Sequence, residues 1–290
     1  MDTYALEAIE RLTTRPAELY ETLTITPLTP LLGAEVSDLD VGRDLTPRQE
    51  KELRHAFLTY HVLVFRDQDI TAEQHKRFAG LFGELHPVSI PEKGSDPYIL
   101  KIKADGQSRA IAGNGWHADG TADEEPSLGS MLYITDVPEG GSGGDTLFAN
   151  MHLAYELLSP AMREFLSGLT AVHDGALPWM GQPIPPEYDV PHNEHPVIAR
   201  HPETGRRLLF VNRPYTSHIT QLSRTESTAL LDMLYAHIAQ TPLIQCRVRW
   251  QPGTMTFWDN RCVQHHAIWD YFPHRRYGSR VALKGSRPQA

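Results

Sequence analysis

The sequence predicts a mainly β protein with flanking helices, an α+β chain read as one domain over residues 1–290. Three observations predict it. Short runs that are wholly apolar or alternate in polarity recur at residues 62–65, 130–137, 208–212, 246–250, 255–258 and 277–283, each of strand length and bounded by turn residues. Capping boxes announce helices at Thr46-Pro47-Arg48-Gln49, Thr71-Ala72-Glu73-Gln74 and Ser223-Arg224-Thr225-Glu226. No repeat, low-complexity run or linker divides the chain.

In order, residues 5–24 mix apolar and charged positions and predict a loose edge helix, so that about the first 24 residues form a peripheral extension. Residues 25–36 are extended and punctuated by Pro27, Pro30 and Gly33. The helix opened by Pro47 carries the stripe Leu53, Ala56, Phe57 and Tyr60. The uninterrupted apolar run 62–65 predicts a strand buried on both faces. A second helix presents Phe78, Leu81 and Phe82 and is expected to end at Gly83. Residues 85–114, with Pro87, Pro91, Gly94 and Pro97, read as an irregular loop able to close over a site. Beyond the strand 130–137 and a glycine-rich turn, residues 151–168 predict a helix pair, or one helix broken at Ser159-Pro160. A second Pro-rich loop, 175–196, carries Trp179, Met180 and Tyr188. Residues 201–206 read as a hairpin turn, and the helix opened by Ser223 shows Leu230, Met233, Leu234 and Ile238 on its apolar side.

Composition excludes several functions. A net charge of −9, with no basic stripe except near the C-terminus, argues against DNA or RNA as partner or substrate. Only Cys246 and Cys262 are present, so a disulfide framework is not expected and a reducing cytoplasm is. The start Met1-Asp2-Thr3-Tyr4 has no secretory signal pattern, and no run reaches the roughly 18 apolar residues of a membrane span.

The chemistry centres on Gly115-Trp116-His117-Ala118-Asp119-Gly120. In an extended segment, residues two apart share a face, so His117 and Asp119 could grip one metal ion. A third ligand must come from elsewhere, and the histidines ending Trp258-Asp259-Asn260-Arg261-Cys262-Val263-Gln264-His265-His266 are the candidates. Neighbours on a strand face oppositely, so only one of His265 and His266 is expected to bind. Two imidazoles and one carboxylate with open positions suit a non-haem Fe(II) oxygenase.

Seven blocks in order carry a resemblance: Gly33-Ala34-Glu35-Val36, Val64-Phe65-Arg66-Asp67-Gln68, Gly83-Glu84-Leu85-His86-Pro87-Val88, Trp116-His117-x-Asp119, Gly143-Gly144-Asp145-Thr146, Trp258-Asp259-Asn260-Arg261 and Gln264-His265. From about residue 25 to 285 the chain resembles the taurine dioxygenase (TauD/TfdA) family of Fe(II)- and 2-oxoglutarate-dependent oxygenases. The resemblance implies a double-stranded β-helix (jelly-roll) core, with His117, Asp119 and His265 as the iron ligands. It implies that Thr146 and Arg276 hold the far carboxylate of 2-oxoglutarate, a task suited to a guanidinium fork. His86, Tyr215 and Arg280 match positions near the substrate, although Arg280 also matches one that assists the cosubstrate. Ser89 stands where the family's taurine enzyme has a tyrosine, which argues against taurine itself, and Trp179, Met180 and Trp269 suggest room for something larger. Asp119 argues against halogenation, because related halogenases have a small residue there.

The expected reaction is therefore oxidation of an unactivated C–H bond, first of all hydroxylation, using Fe(II), 2-oxoglutarate and O2 and releasing succinate and CO2. The expected substrate is a small molecule, with a sulfonate, sulfate ester or carboxylate favoured if Arg280 faces it. Desaturation, epoxidation or cyclisation of a larger apolar metabolite stays open, as does a jelly-roll binding protein without turnover. The family's habit implies a homo-oligomer, dimer or tetramer.

Overall fold

The structure is a computed structural model and describes residues 2–14, 20–88, 94–111, 113–138, 141–177 and 190–290. Its first helix, α1 (Thr3–Thr13), is shorter than the expected 5–24. Pro16 follows three residues later and cannot continue a helix. Ala5 and Ala8 are buried, and Ile9 and Leu12 pack against the larger core.

The largest sheet contains β1 (Thr24–Pro27), β2 (Ala34–Ser37), β3 (Val62–Phe65), β14 (Thr254–Asp259), β6 (Gly129–Asp136), β16 (Arg276–Leu283) and β4 (Leu85–His86), in that order, with β5 (Leu100–Ala104) also paired to β16. Every described pairing in it is antiparallel except β2–β3. A smaller antiparallel sheet has the order β13 (Gln245–Val248), β7 (Thr146–Asn150) and β15 (Val263–Ala267). Beyond it lie β8 (Thr170–Asp174), β9 (His192–Pro196) and β12 (Thr216–Ile219), and the hairpin of β10 (Ile198–Arg200) with β11 (Arg207–Leu209).

Two apolar layers explain this arrangement. Helices α2 (Pro47–Tyr60) and α3 (Ala72–Gly80) cover one face of the large sheet, where Phe57 stacks on Phe257 at 4.0 Å. Leu63 and Phe65 of β3 enter this layer. Val62 and Val64 point the other way, into a core shared with Phe148, Trp250 and Trp258. The continuous apolar run at 62–65 is thus buried on both faces, as expected. Both helices begin with the predicted capping box, but α3 ends at Gly80, three residues before Gly83.

Residues 151–168 form the helix pair α4 (Met151–Glu156) and α5 (Pro160–Leu166), the latter capped by Ser159. Helix α6 (Arg224–Ala239) buries Ser227, Leu231, Leu234 and Ile238, while Met233, expected inside, is exposed. Leu231 and Leu234 are three apart and Ile238 four further on, so the buried stripe keeps Leu234 and Ile238 but runs through Leu231, with Leu230 only partly buried beside it.

The stretch 85–114 is not the irregular loop anticipated, since it contains β4 and β5. Leu100-Lys101-Ile102-Lys103-Ala104 alternates apolar with basic residues, a half-buried strand signal that the surrounding prolines masked. Most of the second expected lid, including Trp179, Met180 and Tyr188, lies outside the described residues, as does Ser89.

Candidate active site

Strand alternation aims one set of side chains from each sheet into the space between them. On β16, Arg276, Arg280 and Ala282 face inward at even spacing, and on β5 so do Leu100 and Ile102. On the opposite wall Thr146 pairs with Ala267 and Phe148 with His265. The result is a cavity of about 450 Å³ whose lining includes His86, His117, Asp119, Thr146, Tyr215, His265, Arg276 and Arg280. All eight residues singled out from the sequence therefore meet in one space.

His117 and His265 form an antiparallel bridge, with reciprocal N–H to carbonyl distances of 3.1 and 2.8 Å. Their rings lie 4.0 Å apart, and Nε2 of each approaches Asp119 Oδ1, at 3.7 and 3.9 Å. His117 Nδ1 donates to the Gly115 carbonyl at 2.8 Å, so Nε2 carries the lone pair. Burial pushes both histidines toward the neutral form, the form that binds metal. Burial also pushes the Asp119 carboxyl up, but Arg280, His265 and His117 together outweigh it and hold it ionised well below the usual range. Asp119 Oδ1 accepts from Arg280 Nη1 at 2.7 Å, and Oδ2 from Ser130 Oγ at 3.1 Å.

His266 takes the other side of its strand. It packs edge-on to Trp116 and, with Trp269, lines a separate cavity of about 780 Å³. Trp269 therefore does not enlarge the space beside Asp119, as the sequence had suggested.

Arg276 is 4% exposed, and among the described residues its Nε and Nη2 have no hydrogen-bond partner. Burial pushes the guanidinium down, offset in part by Tyr271 and Asp145. Gly144 makes room for it. At φ +76°, a Cβ there would lie 3.0 Å from Arg276 Cδ. Thr146 Oγ1 accepts from Trp250 Nε1 at 3.0 Å, which leaves its hydroxyl proton to donate.

Sequence reasoning missed two contributors. Asn260 acts as a clamp: its Oδ1 accepts the Asp119 N–H at 2.8 Å, while Nδ2 donates to the carbonyls of Asp119 and Ser127 at 2.9 and 3.0 Å. It stands in the Trp258–Arg261 block, but a contact across 141 residues has no local signal. Asp123 also lines the cavity, and nothing in its spacing marked it out.

These residues fit Fe(II) and 2-oxoglutarate. Two neutral imidazoles and a carboxylate form an oxygenase donor set, and two orphaned guanidinium nitrogens in a buried cavity call for an anion. Fold and cavity thus have the make-up of a metal-dependent oxygenase with an organic-acid cosubstrate.

The chain belongs to the taurine catabolism dioxygenase TauD, TfdA family, which matches residues 24–282. It is similar to the alpha-ketoglutarate-dependent sulfate ester dioxygenase of Pseudomonas putida, at 31% identity over 92% of this chain and 91% of that protein. A solved taurine dioxygenase from Burkholderia xenovorans matches at 35% identity with a TM-score of 0.80, covering 92% of each chain. A third match is AAD-2 in complex with Mn(II) and N-oxalylglycine, at 26% identity and TM-score 0.77, covering 93% of this chain and all of that one. The protein is a 2-oxoglutarate-dependent dioxygenase that uses Fe(II), 2-oxoglutarate and O2 on a small molecule. No helix among the described residues is long and apolar enough to cross a membrane.

Proposed function

We propose that the enzyme hydroxylates an unactivated C–H bond of a small organic anion, a sulfonate, sulfate ester or carboxylate. His117, Asp119 and His265 hold Fe(II), Thr146 and Arg276 hold 2-oxoglutarate, and His86, Tyr215 and Arg280 face the substrate. The observation that carries this reading is the buried, unpartnered edge of Arg276 in the same cavity as the three metal-ligand candidates. When bound, iron with 2-oxoglutarate and O2 supplies the oxidising power, one oxygen atom entering the C–H bond and the other the succinate that leaves with CO2.

The chain's own residues do the rest. Asn260 and the His117–His265 bridge hold the ligand-bearing segments in register. Arg276 offers a planar fork and Thr146 a hydroxyl to the cosubstrate's distal carboxylate. Arg280 spends one N–H on Asp119, and its remaining donors are available to an anionic substrate. Leu100, Ile102, Leu132, Phe148 and Trp258 keep the cavity wall apolar and exclude water. Sulfate-ester oxidation by the Pseudomonas putida relative supports an anionic substrate. The two facing, largely antiparallel sheets support a double-stranded β-helix within a single dioxygenase domain. Family habit supports a homo-oligomer, and two buried thiols without a disulfide support a cytoplasmic setting.

Anaerobic titration with Fe(II) and then 2-oxoglutarate tests the assignment, read by the weak visible charge-transfer band of the chelate. Wild type should develop the band, and Arg276→Met should need at least about tenfold more 2-oxoglutarate to reach it. An unchanged titration in Arg276→Met would remove that residue from the cosubstrate site.

A further inference from the structure

Asp119 presents two carboxylate oxygens, and the structure treats them differently. Oδ1 is the one that both imidazole Nε2 atoms approach, at 3.7 and 3.9 Å. Oδ2 is held by Ser130, whose hydroxyl lies 3.1 Å away. An ionised carboxylate offers acceptors only, so the serine must turn its proton toward Oδ2. Ser130 is fully buried, where a hydroxyl is costly unless paired, and Asp119 is its partner.

The serine stands on a firmer base than the carboxylate. Ser130 belongs to β6, which lies between β14 and β16, and it pairs with Trp258 on one side and Ala282 on the other. Both of those neighbours line the cavity. Directly paired residues share a face of the sheet, so the hydroxyl is aimed the same way. Gly129 lets β6 lie this close, since a Cβ there would meet the Trp258 carbonyl oxygen at 2.7 Å. Asp119, by contrast, sits in a turn outside the named strands. Asn260 fixes its backbone, and Ser130 fixes the rotation of its carboxylate.

That rotation matters for chemistry. A carboxylate can hold a metal through one oxygen or through both. Beside two imidazoles, a one-oxygen grip keeps the open positions that define this donor set, and a two-oxygen grip takes one of them away. Here the second grip has a driving force. Oδ1 already accepts a charge-assisted hydrogen bond from Arg280 at 2.7 Å, so a released Oδ2 would be the less encumbered oxygen.

We propose that Ser130 is a positioning residue that restricts Asp119 to a one-oxygen grip on the metal, and so keeps a coordination position open for the cosubstrates. This rests on the reading of Asp119 as a metal ligand.

The test is Ser130→Ala in the full-length protein, a change that removes one oxygen atom and adds no bulk. Fe(II) affinity, measured anaerobically, should stay within a few-fold of wild type or tighten, because the carboxylate gains a contact. The 2-oxoglutarate needed to half-develop the chelate band should rise by at least about tenfold, since the cosubstrate has to compete with Oδ2. On the Mn(II)-loaded protein, water-proton relaxation should report one exchangeable water fewer than in wild type, a signature that loss of a purely structural hydrogen bond would not produce. Succinate formation should show the same loss in KM for 2-oxoglutarate, with kcat little changed. A 2-oxoglutarate titration or a water count that overlays wild type would overturn the inference. So would an equal fall in Fe(II) and 2-oxoglutarate affinity, which would make Ser130 a general support of its ligand. Asp119→Ala serves as the control: if it binds Fe(II) as tightly as wild type, the metal reading itself fails and takes this inference with it.

Discussion

Two buried clusters of histidine and carboxylate sit on the same stretch of chain, and they differ in one respect that decides their roles. Asp259 ends β14 and His265 lies on the strand that follows. Among the described residues both belong to groups whose ligand atoms are close enough to hold a metal: His117, Asp119 and His265 in one, and His201, Asp259 and Cys262 in another. Asp259 is fully paired. Its Oδ2 accepts from His201 Nε2 at 2.9 Å and Arg261 Nη2 at 2.7 Å, and its Oδ1 from Arg261 Nε at 2.7 Å. Arg261 continues to Glu203, and Glu203 to Arg54. A further histidine of this region, His61, has Arg206 Nη1 3.4 Å away, which disfavours a cation. One atom breaks the pattern, since His152 Nε2 is buried without a partner among the described residues. By contrast the Asp119 cluster opens onto a cavity that also holds the unpartnered edge of Arg276. Composition alone would rank the two alike. Unspent hydrogen-bonding capacity, with space beside it, separates a binding site from a strut.

Asn260 joins the two, being next in sequence to Asp259 and clamped onto Asp119. The strut thereby positions the site, and the comparison can be broken most severely at the ligands. Asp119→Ala should remove Fe(II) binding and lower substrate-dependent succinate formation by well over about 100-fold, beyond the range for groups that merely support a ligand. Undiminished turnover would sink the metal assignment. Unfolding should shift less than for a change at Asp259, because the arginine left without its carboxylate, Arg280, is partly exposed to solvent.

Asp259→Asn should behave in the opposite way. It strips a buried pair of its charge while leaving Arg261 inside, a change that costs about 3–5 kcal/mol. Urea unfolding should shift by that amount, while turnover per folded molecule stays within a few-fold of wild type. If activity collapses with stability intact, Asp259 belongs to the reaction and the distinction drawn between the clusters is wrong. Asn260→Ala falls between them. Loss of the clamp should weaken Fe(II) binding by about 10- to 100-fold and leave the 2-oxoglutarate requirement in place. Equal effects on iron affinity from Asn260→Ala and Asp259→Asn would show that the two clusters act as one unit.

How much of this was legible in the sequence follows the range of the interactions. His117 and Asp119 could be read because a two-residue spacing encodes a shared face, while alternation admitted only one of His265 and His266 and the family resemblance pointed to His265. Capping boxes at Thr46, Thr71 and Ser223 were legible for the same local reason. Strand β5 had a readable alternation at Leu100, Ile102 and Ala104, overridden by the prolines around it. The Asp259 network had no such signal. His201 looked like part of a hairpin turn, and its partner is 58 residues away, while Arg54 reaches Glu203 across 149. Topology makes those contacts, and no spacing rule announces them.

The smallest effect tests the strut principle away from the site, at Glu52. This carboxylate is 5% exposed and accepts from Arg48 Nε at 2.6 Å, the Glu21 N–H at 3.0 Å, and the Thr22 N–H and hydroxyl at 3.1 and 2.8 Å. Burial pushes its carboxyl up, but these donors outweigh burial and bring it down to about 2. The folded value lies below the roughly 4.3 of an unfolded glutamate, so the ionised form is the one the fold favours. Its stabilisation is fully present above the unfolded value and is lost as pH falls through about 2. Glu52→Gln should therefore cost about 1–2 kcal/mol at pH 7, a figure reduced for the exposed Arg48 partner. The gap between the two proteins in urea should narrow steadily from pH 5 toward pH 3. A gap independent of pH would mean that the shape of the side chain, and not its charge, holds residues 21 and 22 against α2.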